Sequence, residues 1–184
     1  MTRLNWRPYS IAQPTDLKED WLEWLLYPHS FMSRLESVGV LASTIQVTKH
    51  VFENPTQEEA ELLNIPSGEA ALIREVMIGN SDGQWMFAKT VFPKATLTGA
   101  EQQLGDLQNR SLGSYLFKQK AQRGEFEFAK ITPSIDWYSY IAKYATLSGE
   151  TLLARRSQFF IKHKNLLLTE VFLPDMKKII EKTA

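Results

Sequence analysis

The spacing of apolar positions changes period along the chain. Trp21, Trp24, Leu25, Leu35 and Val38 recur at helical spacing until Gly39 ends the pattern. Pro28 interrupts that run, so it predicts two helices joined by a bend at 28–30 rather than one. The first should begin near Leu17, capped by Thr15 or Asp16. Residues 44–52 are rich in β-branched side chains and predict a strand. Thr56 followed by Glu59 is a capping-box pattern, opening a short helix through Leu63. Residues 70–78 and 84–92 read as strands around Asn80, Ser81, Asp82 and Gly83, a strong hairpin signal. Thr98 and Glu101 repeat the capping-box pattern before a helix to Leu104, and Ser111 can cap a helix carrying Leu112, Tyr115, Leu116 and Phe117. A strand over 126–131, a helix over 138–145 and a second hairpin, 155–163 with 166–173, follow. The order of helices, hairpin, helices, hairpin predicts one α+β domain, an antiparallel sheet covered by helices. It spans 1–184, with a core over 17–174, an irregular N-terminal arm over 1–16 and a helical or frayed tail over 175–184.

Strand alternation picks out charges on apolar faces. Leu72, Arg74, Val76 and Ile78 share one face of the first hairpin, and Ile73, Glu75 and Met77 the other. A two-residue turn at Ser81 and Asp82 would pair Arg74 with Lys89, Val76 with Phe87 and Ile78 with Trp85. The shared face is then apolar apart from two cations, Arg74 and Lys89. In the second hairpin, a turn at Lys164 and Asn165 sets Glu170 among Leu166, Leu168, Phe172, Phe159 and Ile161. A charge buried alone is costly, so it needs a partner or a ligand. These residues either pair with one another or enclose a small anionic ligand, and periodicity leaves both open. A one-residue slip in register would flip every face.

Composition removes other classes. Lys+Arg and Asp+Glu both number 21, so the basic excess of a nucleic-acid binder is missing. With no cysteine, disulfides and thiolate chemistry are excluded, which fits a cytoplasmic protein. No run is long and apolar enough for a membrane span, and the N-terminus carries no signal-peptide pattern. His29, His50 and His163 are scattered without metal-ligand spacing, and the glycines form no phosphate-binding fingerprint. Arg155 and Arg156 read either as a solvated pair at a strand start or as structural residues at a cavity rim.

Several strings then resemble one family. Leu72, Ile73, Arg74, Glu75 and Val76, with Trp85 and the run Lys89, Thr90, Val91, Phe92 and Pro93, resemble the central hairpin of bacterial chorismate lyases. Ser111 to Phe117 resembles that family's Leu-Gly-x-Tyr-Leu-Phe segment. Arg155, Arg156 and Ser157, then Leu166 through Pro174, resemble its C-terminal hairpin, and the likeness runs in order from Trp21 to Pro174. The resemblance implies a six-stranded antiparallel sheet and an internal site closed by flaps. It also implies conversion of chorismate to 4-hydroxybenzoate and pyruvate with no metal or organic cofactor. Arg74 then holds the ring carboxylate and Glu170 hydrogen-bonds the para hydroxyl. Backbone groups of Leu112 and Phe31 complete the site. For the other cation, Lys89, the expected role is to steady the enolpyruvyl carboxylate or gate entry.

Lys89 stands where the family often has arginine, which keeps the charge without the bidentate fork. The connection over 132–153 and the tail after Pro174 are longer than the family's. The reading therefore expects a monomer acting on a small molecule, its product feeding quinone synthesis, with Arg74→Ala costing far more activity than Arg155→Ala. Two rivals stand beside it: an effector-sensing domain of the same fold, and an enzyme of the same fold making a different hydroxybenzoate.

Overall fold

A computed structural model describes residues 3–12, 19–40 and 43–183. The predicted caps at Thr15 and Asp16 and the helix start near Leu17 lie outside the described residues. From Glu19 onward the first helical run divides as Pro28 requires, into α2 (Glu19–Leu25) and α3 (Phe31–Ser37). The arm is less irregular than its prolines imply: it holds a short strand β1 (Arg7–Pro8) and one helical turn α1 (Tyr9–Ala12). Strand β2 (Thr44–Glu53) leads to α4 (Gln57–Leu63), where both halves of the Thr56–Glu59 capping box form. The second capping-box pattern is not realised. Residues Gly99–Asp106 form a 3-10 helix, the Thr98 hydroxyl donates back to Ala95 O, and Glu101 accepts from Lys164 instead.

The two hairpins are β3 (Ala71–Asn80) with β4 (Gly83–Phe92), and β7 (Leu152–Ile161) with β8 (Lys164–Phe172). Between them lie α5 (Leu112–Lys118), capped by Ser111, then β5 (Gln122–Arg123), β6 (Glu127–Ile131) and α6 (Asp136–Ile141). The chain closes with α7 (Met176–Thr183). One antiparallel sheet runs in the order β1-β6-β7-β8-β4-β3-β2, and β5 pairs with β7 next to β6. Among the described residues it has eight strands where the resemblance implies six; β1 and β5, of two residues each, make the difference.

Both hairpin registers depart from expectation, with opposite consequences. In β3–β4 a bulge falls between Ile78 and Gly79, so Gly79 faces Gln84 while Ile78 faces Met86. Trp85 is the extra residue. Gly79 permits the crossing, because a Cβ there would come within 2.3 Å of Gly83 O. The slip sets Arg74 opposite Thr90 and Lys89 opposite Glu75, so Arg74 and Lys89 point to different faces. In β7–β8 the turn is at Lys162 and His163, with Ile161 opposite Lys164. That shift is an even number of residues, so the predicted face survives. It also puts Arg155 directly opposite Glu170.

Both faces of the sheet are covered. On one, Leu72, Val76, Ile78, Met86, Leu168 and Phe172 pack under Trp24, Phe31, Leu35, Leu104, Leu112 and Leu116. Met176, Ile179 and Ile180 of α7 join this core, so the tail is a packed helix rather than a frayed end. On the other face, Met77, Phe87 and Val171 pack under Trp137, Tyr138, Ile141 and the arm's Leu4. Residues of both termini therefore belong to the core that was expected to end at 17 and 174. No helix among the described residues is long and apolar enough to cross a membrane.

Candidate active site

A cavity of about 50 Å³ lies between the first face of the sheet and the starts of α3 and α5. Its wall includes Arg74 from β3, Glu170 from β8, and Phe31 and Leu112, each the first residue of its helix. Four of the five expected site residues thus meet in one place. The first N–H groups of a helix have no partner within it, so Phe31 and Leu112 bring hydrogen-bond donors of the kind a ligand can use. Gly113 lets the two helix starts approach: a Cβ there would fall 2.6 Å from Ser30 Oγ and 3.2 Å from Ser30 Cα. The space holds one or two waters but not an aromatic ring, so a ring-sized ligand enters only as these helix starts part.

Arg74 is 3% exposed and has no carboxylate partner among the described residues. Its Nη2 donates to Gln108 O at 2.8 Å and Arg110 O at 3.0 Å, while its buried Nε has no acceptor. Gln108 adopts a left-handed backbone, φ 48°, in the loop that offers these carbonyls. Burial lowers the Arg74 pKa to about 10, which still leaves it cationic near neutrality.

Glu170 lies under a different cation. Arg155, 0% exposed, donates from Nε at 2.7 Å and from Nη2 at 3.1 Å in a bidentate clasp. Its Nη1 donates to the carbonyls of Trp24, Leu25 and Tyr27, tying the end of α2 to the sheet. Arg123 Nη2 stands 3.9 Å from Glu170 Oε2. Burial alone would raise the Glu170 pKa, but Arg155 and then Arg123 outweigh it and hold the carboxyl below its ordinary value.

Lys89 is not brought to the cavity. On the opposite face its Nζ meets Glu59 at 2.7 Å, and Trp137 lies 5.7 Å away. Arg156 shares that face, pairing with Glu58 at 3.0 Å and Glu127 at 2.8 Å, and Tyr140 donates to Glu75 at 2.5 Å. Neither Arg155 nor Arg156 is solvated, contrary to one reading of the sequence. The choice between ion pairs and an anionic ligand therefore divides by residue. Among the described residues Lys89 and Glu170 have oppositely charged partners, and Arg74 has only the backbone carbonyls of Gln108 and Arg110.

The family model for chorismate lyase matches residues 4–183. A Coxiella burnetii protein named "Probable chorismate pyruvate-lyase" is 34% identical over 94% of this chain and 92% of its own. The chorismate pyruvate-lyase of Salmonella newport is 33% identical over 95% and 94%. The chain belongs to the chorismate lyase family. Among solved structures, PhnF from Mycobacterium smegmatis has a TM-score of 0.64 at 10% identity, over 82% of this chain and 66% of that one. A GntR-family transcriptional regulator from Bacillus cereus has a TM-score of 0.55 at 15% identity, over 72% and 92%. At such identities the likeness concerns the fold alone.

Within this chorismate lyase family member, the sequence reads Arg155 as a solvated residue or one at the cavity rim, and gives no signal for Arg123. Arg155 becomes legible once the turn is placed at Lys162 and His163, since it then opposes Glu170. Arg123 sits in a two-residue strand before Gly124, with no periodicity to mark its face. The depressed Glu170 value makes a pH prediction. The stability that Glu170 contributes is fully present above the ordinary glutamate range and is lost only as pH falls through its lower folded value. A kcat/KM profile from pH 8 down to about 5 should therefore show no limb from Glu170. A limb in that interval that disappears in Glu170→Gln would show the carboxyl titrating within it and contradict the assignment.

Proposed function

We propose that the chain eliminates pyruvate from chorismate and leaves 4-hydroxybenzoate. The observation that carries this is Arg74, a buried guanidinium with no carboxylate partner among the described residues, lining a cavity whose wall also carries Glu170, a carboxyl held below its ordinary pKa. Such a pair suits a ring with a carboxylate at one end and a hydroxyl at the other. Arg74 takes the ring carboxylate, Glu170 accepts from the hydroxyl on ring carbon four, and the N–H groups of Phe31 and Leu112 complete the binding.

The chemistry is an elimination. The bond from ring carbon three to the ether oxygen breaks, and its electrons leave with the enolpyruvate. The proton on ring carbon four departs, and its bonding pair becomes the new ring double bond. The enolate takes up a proton and becomes pyruvate. Aromatisation drives the reaction, so the site has mainly to hold the reacting conformer and exclude water. Arg74 and Glu170 are the titratable side chains of the cavity wall. A carboxylate held below its ordinary pKa is a weak base, so Glu170 orients the hydroxyl and the departing enolpyruvate is the better proton acceptor.

The same proposal has the enzyme working as a cytoplasmic monomer, with its product entering quinone synthesis. Zero net charge supports a small-molecule substrate over a nucleic acid. The test follows pyruvate release from chorismate without added metal and identifies the aromatic product by chromatography. Equal amounts of pyruvate and 4-hydroxybenzoate are expected. A different hydroxybenzoate would overturn the positional assignment, and tight binding of 4-hydroxybenzoate without turnover would move the chain to the effector-sensing reading.

A further inference from the structure

Chorismate carries two carboxylates, and the wall of the cavity offers one uncompensated cation. The second was expected to meet Lys89, which lies on the opposite face and is taken by Glu59. We infer that Arg123, with the Ser157 hydroxyl on the same sheet face, receives the carboxylate of the enolpyruvyl arm. The inference rests on the placement of the ring between Arg74 and Glu170.

Unmet hydrogen-bonding capacity points there. Among the described residues, eight buried side-chain polar atoms lack a partner, and four of them are Arg74 Nε, Arg123 Nε, Arg123 Nη1 and Ser157 Oγ. All four belong to the face of the sheet that carries the cavity. Arg123 opposes Phe159, and Ser157 is two residues from Phe159 along β7. Buried donors without acceptors are costly, and two on one guanidinium call for a specific anion.

The guanidinium is also presented in a way that suits a carboxylate. The Phe126 and Phe159 rings lie 4.6 and 4.5 Å from its central carbon. Rings against its planar faces leave the N–H edge, with the fork geometry that matches a carboxylate, to be satisfied by something else. Arg155 cannot take that role, since each of its nitrogens is already committed to Glu170 or to the α2 carbonyls.

Position and charge agree with the assignment. The enolpyruvyl ether is on the ring carbon next to the one bearing the hydroxyl. A hydroxyl held at Glu170 therefore puts the arm's carboxylate a few bond lengths from Glu170, where Arg123 Nη2 stands at 3.9 Å. Among the described residues Arg123 and Arg155 stand against Glu170, Arg74 on the same cavity wall has no carboxylate partner, and Glu101 is matched by Lys164 at 2.6 Å. Two positive charges remain, as many as the substrate has negative ones. The product 4-hydroxybenzoate keeps only one, so cleavage uncouples Arg123 from the ring.

The test separates substrate from product. In Arg123→Gln, kcat/KM for chorismate should fall about 100-fold. The Kd of 4-hydroxybenzoate, measured by calorimetry, should change less than about threefold. Arg74→Gln should lose both. If Arg123 only supported Glu170, the product would be weakened with the substrate, because its hydroxyl is held through Glu170; parallel losses, or no loss for chorismate, overturn the inference. If Arg74→Gln leaves 4-hydroxybenzoate binding intact, the ring placement itself fails. Arg123→Lys serves where the glutamine variant does not fold: the cation stays and the fork is lost, so the chorismate KM should rise about tenfold with product affinity unchanged. An unchanged KM in that variant overturns the inference as well.

Discussion

Arg74→Met is expected to abolish most of the activity while leaving the fold as stable as before or more so. The two effects separate because Arg74 has no anionic partner in the protein. Burying an unpaired cation costs several kcal/mol, a cost that methionine removes. Against this, the variant gives up the hydrogen bonds to Gln108 O and Arg110 O. Each is worth about 1.5–3 kcal/mol because the donor is charged. The two sides nearly cancel, so stability should stay within about 1 kcal/mol of the parent or rise. Function has no such compensation. Removing the cation under a desolvated carboxylate costs about 2–5 kcal/mol, so kcat/KM for chorismate should fall about 1000-fold. The affinity for 4-hydroxybenzoate should fall with it. Thermal melts and turnover on the same preparation decide the matter. Activity within tenfold of the parent would remove Arg74 from the site, and collapse of the fold would overturn the argument that its burial is uncompensated.

How much of the fold and site is legible in the sequence depends on what each signal is made of. The helix break at Pro28, the Thr56 box and the Ser111 cap rest on local chemistry, and each forms as read. The faces of the strands depend on parity, which one bulge can invert. The second hairpin's turn was misplaced by an even number of residues in register, so Glu170 stayed on the right face. The first hairpin holds one extra residue, Trp85, and that single residue carried Lys89 away from Arg74. Partners across the sheet were the least legible. Arg123 reaches Glu170 from beyond β7, and Lys89 finds Glu59 on α4, a helix whose packing side the charge pattern did not reveal.

Arg155→Ala is expected to be the costliest single change to the fold. It empties a wholly buried position, leaves Glu170 with only Arg123 at 3.9 Å, and removes the guanidinium donor from the carbonyls of Trp24, Leu25 and Tyr27. Breaking a buried pair from one side costs about 3–5 kcal/mol. For a chain of this size that lowers Tm by roughly 10 °C. Activity should fall too, because Arg155 holds Glu170 in position and keeps it ionised. The sequence-based expectation that Arg74→Ala would cost far more activity than Arg155→Ala therefore no longer separates the two residues. What separates them is stability, which Arg74→Met keeps and Arg155→Ala loses. A paired replacement isolates the cause. Arg155→Met with Glu170→Met removes both charges and fills the space, so it should regain stability to within about 2 kcal/mol of the parent. It should remain inactive, since the acceptor for the hydroxyl is gone. A single variant that melts within a few degrees of the parent would mean that the pair does not support the fold. A stable double variant that still turns over chorismate would mean that Glu170 does not hold the substrate.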